Sequence, residues 1–117
     1  MATKQDVANF LQKLISKIDI FGIVFRDDRG KNLQTLLDLE ITSKRREEII
    51  KDLCVNDFIG GPTSDMINEY GELWVFGKDV KKEEVYIKIS LGKTNKPSVC
   101  ISFHIAERKL NYKFKQS

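Results

Sequence analysis

The chain has one histidine, two cysteines and two prolines in 117 residues, and each scarcity closes off a class of function. A single histidine excludes a histidine-rich metal centre. Cys54 and Cys100 lie far apart with no C-x-x-C spacing, so both read as reduced thiols rather than as a disulfide or metal pair. No apolar run approaches the roughly 20 residues that span a bilayer. The N-terminus is amphipathic from its start and lacks the apolar core of a signal peptide. Membrane association is therefore not expected, and the cytoplasm is the expected location. There is no Gly-rich phosphate loop and no Ser/His/Asp order of a recognised hydrolase. The sequence gives no reason to expect a metal or cofactor.

What is present describes one ordinary domain over residues 1–117, large enough for a single core. Hydrophobic residues make up 41% and charged residues 32%, which is globular rather than disordered composition. The net charge of +3 is unevenly spread. Residues 1–77 hold 10 Lys/Arg against 13 Asp/Glu, whereas residues 78–117 hold 10 against 4. A basic C-terminal part fits either a polyanion partner or a strand edge guarded by lysines.

Read in order, Thr3 and Asp6 form a capping pair before Val7, Phe10, Leu11, Leu14, Ile15 and Ile18, a single helical stripe. Asp19 and Gly22 end that helix, and Ile23–Phe25 is a short extended piece. The charged segment Arg26–Asn32 reads as an exposed loop. Its three cations, Arg26, Arg29 and Lys31, are candidate phosphate contacts. Leu33, Leu36, Leu37 and Leu39 predict a short helix ending near Glu40. Another starts at Thr42 or Ser43 and turns Ile49, Ile50 and Leu53 inward. Gly60-Gly61-Pro62 predicts a sharp turn, and Thr63–Gly71 a loop. Leu73–Lys78 is a strand with Trp74, Phe76 and Lys78 on one face. Trp74 is core if buried and a base-stacking platform if exposed beside lysines.

After a turn at Asp79–Glu83 come two alternating runs, Glu84–Leu91 and Ser98–Ala106. They predict a half-buried antiparallel hairpin. Val85, Ile87, Ile89 and Leu91 form one apolar face with Val99, Ile101, Phe103 and Ile105. The other face carries Tyr86, Lys88, Ser102 and His104, with Tyr86 or Lys88 opposite or diagonal to the histidine. Glu107–Lys109 is a turn, and Leu110–Lys115 reads as a last short strand. Helices followed by an antiparallel meander give an α+β, two-layer domain, with N-terminal helices packed on the sheet.

His104, Tyr86 and Lys88, with cations such as Lys78, Arg108 and Arg26 or Arg29, suit metal-free RNA cleavage. A base removes the ribose 2′-OH proton, the oxygen attacks the adjacent phosphate, an acid protonates the leaving 5′-oxygen, and a cation steadies the phosphorane. The same residues on a strand also fit a face with no catalytic role.

The elements Leu39-x-Ile41, Ile49-Ile50-x-x-Leu53, Asp57-Phe58, Leu73-Trp74, Glu84 to Ile89 and Val99 to Phe103 occur in that order. In residues and spacing this line resembles the MqsR family of bacterial type II toxins, over most of the chain. The resemblance implies a RelE-like α+β fold, messenger-RNA cleavage without metal, and neutralisation by a cognate antitoxin that also represses transcription. It carries the family's catalytic tyrosine onto Tyr86. His104 stands where the family has a lysine, Gly60 where it has another lysine, and Val75 where it has a glutamine. The expected site is then His104, Tyr86 and Lys88 for catalysis, with Lys78, Arg108, Arg26, Arg29, Lys31 and Trp74 on RNA. The alternative is a catalytically degenerate RNA- or protein-binding module of the same fold.

Overall fold

Thr3 opens the first helix as the sequence predicts. Its hydroxyl accepts from the Asp6 amide while the Asp6 carboxylate accepts from the Thr3 amide, at 3.1 and 2.9 Å, a reciprocal cap that satisfies two donors the helix would otherwise leave unpaired. The computed structural model describes residues 2–28, 30–65 and 70–114. Its elements are α1 (Lys4–Phe21), β1 (Ile23–Phe25), α2 (Gly30–Leu39), α3 (Ser43–Lys51), a 3₁₀ turn (Val55–Asp57), β2 (Phe58–Asp65), β3 (Gly71–Val80), β4 (Glu83–Ser90) and β5 (Ser98–Ile105). The architecture is α+β, with three α-helices and one five-stranded sheet in the order β1-β5-β4-β3-β2. Every pairing is antiparallel except β1 with β5, which is parallel. No helix among the described residues is long and apolar enough to cross a membrane.

α1 lays its stripe of Val7, Phe10, Leu11, Leu14 and Ile18 on one sheet face. There it meets Trp74 and Phe76 of β3, Val85, Ile87 and Ile89 of β4, and Cys100 and Phe103 of β5 in a single cluster. Each such side chain removed from water stabilises the fold by about 1.5–3 kcal/mol.

α2 does something different. Its buried Asn32 accepts from the Phe103 amide and donates to the carbonyls of Ile101 and Arg26, at 2.9–3.0 Å, and Thr35 Oγ1 accepts from the Ile105 amide. β1 pairs with β5 only as far as Cys100, so these two side chains take over beyond that point. They satisfy a strand edge that would otherwise be open.

Several local expectations change. α2 starts at Gly30, so Lys31 and Asn32 are helical and not part of a loop. Gly60-Gly61-Pro62 does not turn the chain back; it lies inside β2, with the Gly61–Pro62 peptide cis. β2 is the outermost strand and its register shifts twice there, which is where a sheet tolerates proline and glycine. Thr63–Asp65 extends this strand, and the rest of the expected loop up to Glu69 lies outside the described residues. β3 and β4 are joined by Lys81-Lys82 alone, both at positive φ, the tight hairpin geometry in place of a five-residue turn. The β4–β5 register slips between Lys88/Ser102 and Ile89/Cys100. Ile101 is the extra residue, so Cys100, not Ile101, completes the core face, and Val99 moves to the other side. Leu110–Lys115 does not form a strand over its described part, 110–114.

Candidate functional site

The face of the sheet turned away from α1 is built in two rows. Gly77, Tyr86 and His104 are directly opposite one another across β3, β4 and β5, and the neighbouring row is Gly60, Val75, Lys88 and Ser102 from β2 to β5. Alternation along each strand forces these residues outward, because Phe76, Ile87 and Phe103 between them belong to the core. The rings of Tyr86 and His104 are stacked, with centroids 5.3 Å apart and planes inclined by 22°.

His104 Nδ1 lies 3.0 Å from the carbonyl oxygen of Ile105. A carbonyl can only accept, so in the neutral ring Nδ1 carries the hydrogen and Nε2 keeps its lone pair. Burial raises the pKa of the Tyr86 phenol above the ordinary value of 10.0, so at neutral pH it holds its proton. The pair thus offers one proton acceptor and one proton donor side by side. Lys88 stands in the adjacent row, half-buried and with no ion-pair partner among the described residues.

The C-terminal segment closes one end of this face. Glu84, on the same side as Tyr86, accepts from the Leu110 amide at 3.0 Å and from the Tyr112 hydroxyl at 2.8 Å. Leu110 and Tyr112 then lie so close over Gly77 that a Cβ there would stand 2.6 Å from the Tyr112 oxygen, so the row needs glycine at this place. The chain continues round β2, where the Lys113 amide donates to the Phe58 carbonyl and Phe114 stacks on Phe58 at 5.6 Å. Between this segment and the sheet is a cleft of about 550 Å³, with Tyr86 and His104 on its wall and Arg108, Lys109 and Lys113 at its rim. On the other side of His104 a second cleft of about 440 Å³ runs along α2, past Lys31, Gln34 and Asp38. The exposed ion pair of Lys31 with Glu107 stands beside both, and it lowers the pKa of the Glu107 carboxyl.

The predicted site residues divide accordingly. Tyr86, His104 and Lys88 share one face of the sheet, Tyr86, His104 and Arg108 line its cleft, and Lys31 reaches the margin from α2. Arg26 grips Asp28 through Nε and Nη2 and donates from Nη1 to the Tyr70 hydroxyl. Asp28 and then Tyr70 raise its pKa further. The Tyr70 carbonyl accepts from Ser90, which lies on the same sheet face, so Arg26 belongs to the far end of that face. Trp74 and Lys78 do not. Trp74 is 8% exposed and stacked on Phe10 at 4.5 Å, and Lys78 lies opposite Val85 on the core side, where it pairs with Asp57 at 3.1 Å. Arg29 lies outside the described residues. Sequence reasoning missed Glu84, Lys109, Asn111 and Lys113. The only sequence signal for Lys109, Asn111 and Lys113 is the basic run after Ala106, which reads equally well as an exposed strand, and Glu84 stands out only through its contacts with Leu110 and Tyr112.

Among the described residues no cluster of His, Cys, Asp and Glu is arranged to hold a metal. Compared with known proteins, the chain matches no family model, no curated protein and no solved structure.

Proposed function

We propose that the protein is a metal-independent endoribonuclease of the MqsR-like toxin class, cutting messenger RNA in the cytoplasm and neutralised by a cognate antitoxin. The observation that carries this reading is the stacked Tyr86–His104 pair, set on the sheet face turned away from α1, on the wall of a cleft rimmed by cations. His104 Nε2 takes the proton of the ribose 2′-OH. The 2′-oxygen attacks the adjacent phosphorus, the bond from phosphorus to the 5′-oxygen breaks, and Tyr86 gives its proton to that oxygen. Lys88 and Arg108 offset the negative charge that gathers on the phosphorane. The products are a 2′,3′-cyclic phosphate and a free 5′-hydroxyl, and proton exchange with water resets the pair.

A RelE/MqsR-like fold accords with the sheet. The four positions to which the resemblance assigns catalysis, Gly60, Val75, Tyr86 and His104, fall in two adjacent rows of one face. That arrangement is the one a shared site would require.

Messenger RNA incubated with the purified protein and EDTA should yield fragments ending in 2′,3′-cyclic phosphate. His104→Ala and Tyr86→Phe should each slow cleavage about 10²–10⁴-fold. Full activity in both variants would refute the assignment. A second reading, a degenerate RNA-binding module, is favoured by Gly60 and Val75, which put no functional group into the Lys88 row. It requires RNA binding that weakens steeply with salt and yields no product.

A further inference from the structure

The cleft under the C-terminal segment has a chemistry of its own, apart from proton transfer. One wall is the outward face of Tyr86 and His104, and the others are the aliphatic side chains of Ile59 and Leu110. Three cations stand at its rim, Arg108, Lys109 and Lys113, none with an ion-pair partner among the described residues. Among the described residues the one carboxylate lining the cleft, Glu107, is already neutralised by Lys31. Asn111 also lines the cleft and is exposed, and its amide makes no hydrogen bond to another described residue.

An apolar hollow alone would suit many ligands, and a cationic rim alone would suit any phosphate. The two together, at about 550 Å³, fit a flat ring carrying a phosphate. That is one nucleotide unit, with its base unstacked from the strand. The hollow is also built and not incidental. Glu84 ties down the backbone of Leu110 and the hydroxyl of Tyr112, and the glycine at 77 lets both side chains sit against the sheet.

We propose that this cleft is the base-specificity subsite: it takes the nucleobase next to the attacked phosphate, against Ile59, Leu110 and the Tyr86–His104 pair, and Asn111 reads its edge. The proposal rests on the RNA-cleavage reading above and names what that reading leaves open, the determinant of sequence preference. A side-chain amide presents a donor and an acceptor in one plane, the complement of adenine's N7 acceptor and N6-amine donor, a pair that no other base presents on that edge. Adenine is therefore the favoured base. Arg108, Lys109 and Lys113 hold the flanking phosphates and carry no sequence information.

The test uses the full chain and 2′-O-methyl oligonucleotides, which have no 2′-OH to attack and so report binding alone. Each is a uridine strand with adenine, cytosine, guanine or uridine at one central position, and affinity is read by fluorescence anisotropy. The wild type should bind the adenine strand about tenfold more tightly than the all-uridine strand. Asn111→Ala should erase that preference while keeping the affinity for uridine. Asn111→Asp, which can only accept, should shift the preference to cytosine, whose exocyclic amine donates. Circular dichroism of both variants checks that the fold is retained, as expected for an exposed position. Binding without base preference, or a preference that survives Asn111→Ala, overturns the subsite and leaves the cleavage reading standing. No binding of any strand overturns both.

Discussion

Tyr86 and His104 face each other directly across β4 and β5, with their rings stacked 5.3 Å apart. Their environments differ in one respect that matters for chemistry. The Ile105 carbonyl holds the hydrogen of His104 on Nδ1, while burial alone acts on the Tyr86 phenol and raises its pKa. Two adjacent groups thereby differ in proton character, the neutral imidazole with a free lone pair on Nε2 and the phenol holding its proton.

The first prediction concerns pH. Because the Tyr86 pKa is raised, the phenol stays protonated through the ordinary tyrosine value of 10.0. An acid role then requires that any alkaline fall in the cleavage rate assigned to Tyr86 occur above pH 10.0. A rate profile of the wild type beside Tyr86→Phe checks this. If the wild type loses a Tyr86-dependent limb near pH 8, the phenol is not the acid.

The second prediction concerns the C-terminal segment. In Gly77→Ala the new Cβ would stand 2.6 Å from the Tyr112 oxygen and 2.7 Å from Leu110 Cδ1. Both atoms end side chains of the segment, so the segment shifts while the sheet stays. Amide exchange at Leu110 and Lys113 should speed up at least tenfold, with β4 and β5 protection retained. The Tyr112 pKa is raised, first by burial and then by the bond to Glu84. A raised pKa stabilises docking while the phenol is protonated, so the contribution is complete below pH 10.0 and is lost as pH rises past it. The wild-type segment should accordingly loosen only in that alkaline range. Unaltered Leu110 and Lys113 exchange in Gly77→Ala would show that the glycine is not needed for docking.

The third prediction concerns stability away from the site. Arg46 is 1% exposed; it donates to both oxygens of Asp27 at 2.7 and 3.0 Å, its Nε–H donates to no described residue, and the guanidinium lies 3.6 Å over the ring of Phe25. It ties α3 to the end of β1. Arg46→Ala removes this tie and leaves Asp27 alone. Since the Asp27 side chain is 34% exposed, the expected cost is about 2–3 kcal/mol, below the roughly 3–5 of a fully buried pair. Arg46→Met keeps the packing volume and should cost less. Urea unfolding measures both, and an Arg46→Ala variant as stable as the wild type would contradict this account.

Much of the fold can be read from the chain because the periods are strong. The 3.6-residue stripe from Val7 to Ile18 has one compatible structure once Thr3 and Asp6 cap it, and the two-residue alternation of Val85, Ile87 and Ile89 has another. Reading fails where a local rule is overridden at an edge. Gly60-Gly61-Pro62 has the chemistry of a turn, yet an outermost strand can hold it, because one side of that strand needs no partner. Ile101 fits the apolar face by pattern, yet a bulge hands its place to Cys100. Trp74 and Lys78 alternate correctly along β3, but alternation does not say which side α1 will cover.

By itself the sequence determined which residues share a face. Side chains two apart on a regular strand and three or four apart on a helix are bound together by backbone geometry, and the pattern breaks only where a bulge intervenes, as at Ile101. Tyr86 with Lys88, and Ser102 with His104, were joined in that way. Only the tertiary structure decided which face α1 would bury, that the C-terminal segment would bend over Gly77, and that Asn32 would close the edge of β5. These outcomes rest on contacts between residues tens of positions apart, such as Glu84 with Tyr112 or Asn32 with Phe103. No local period encodes them; they follow from how apolar surface and unpaired backbone groups of the whole chain can be satisfied together.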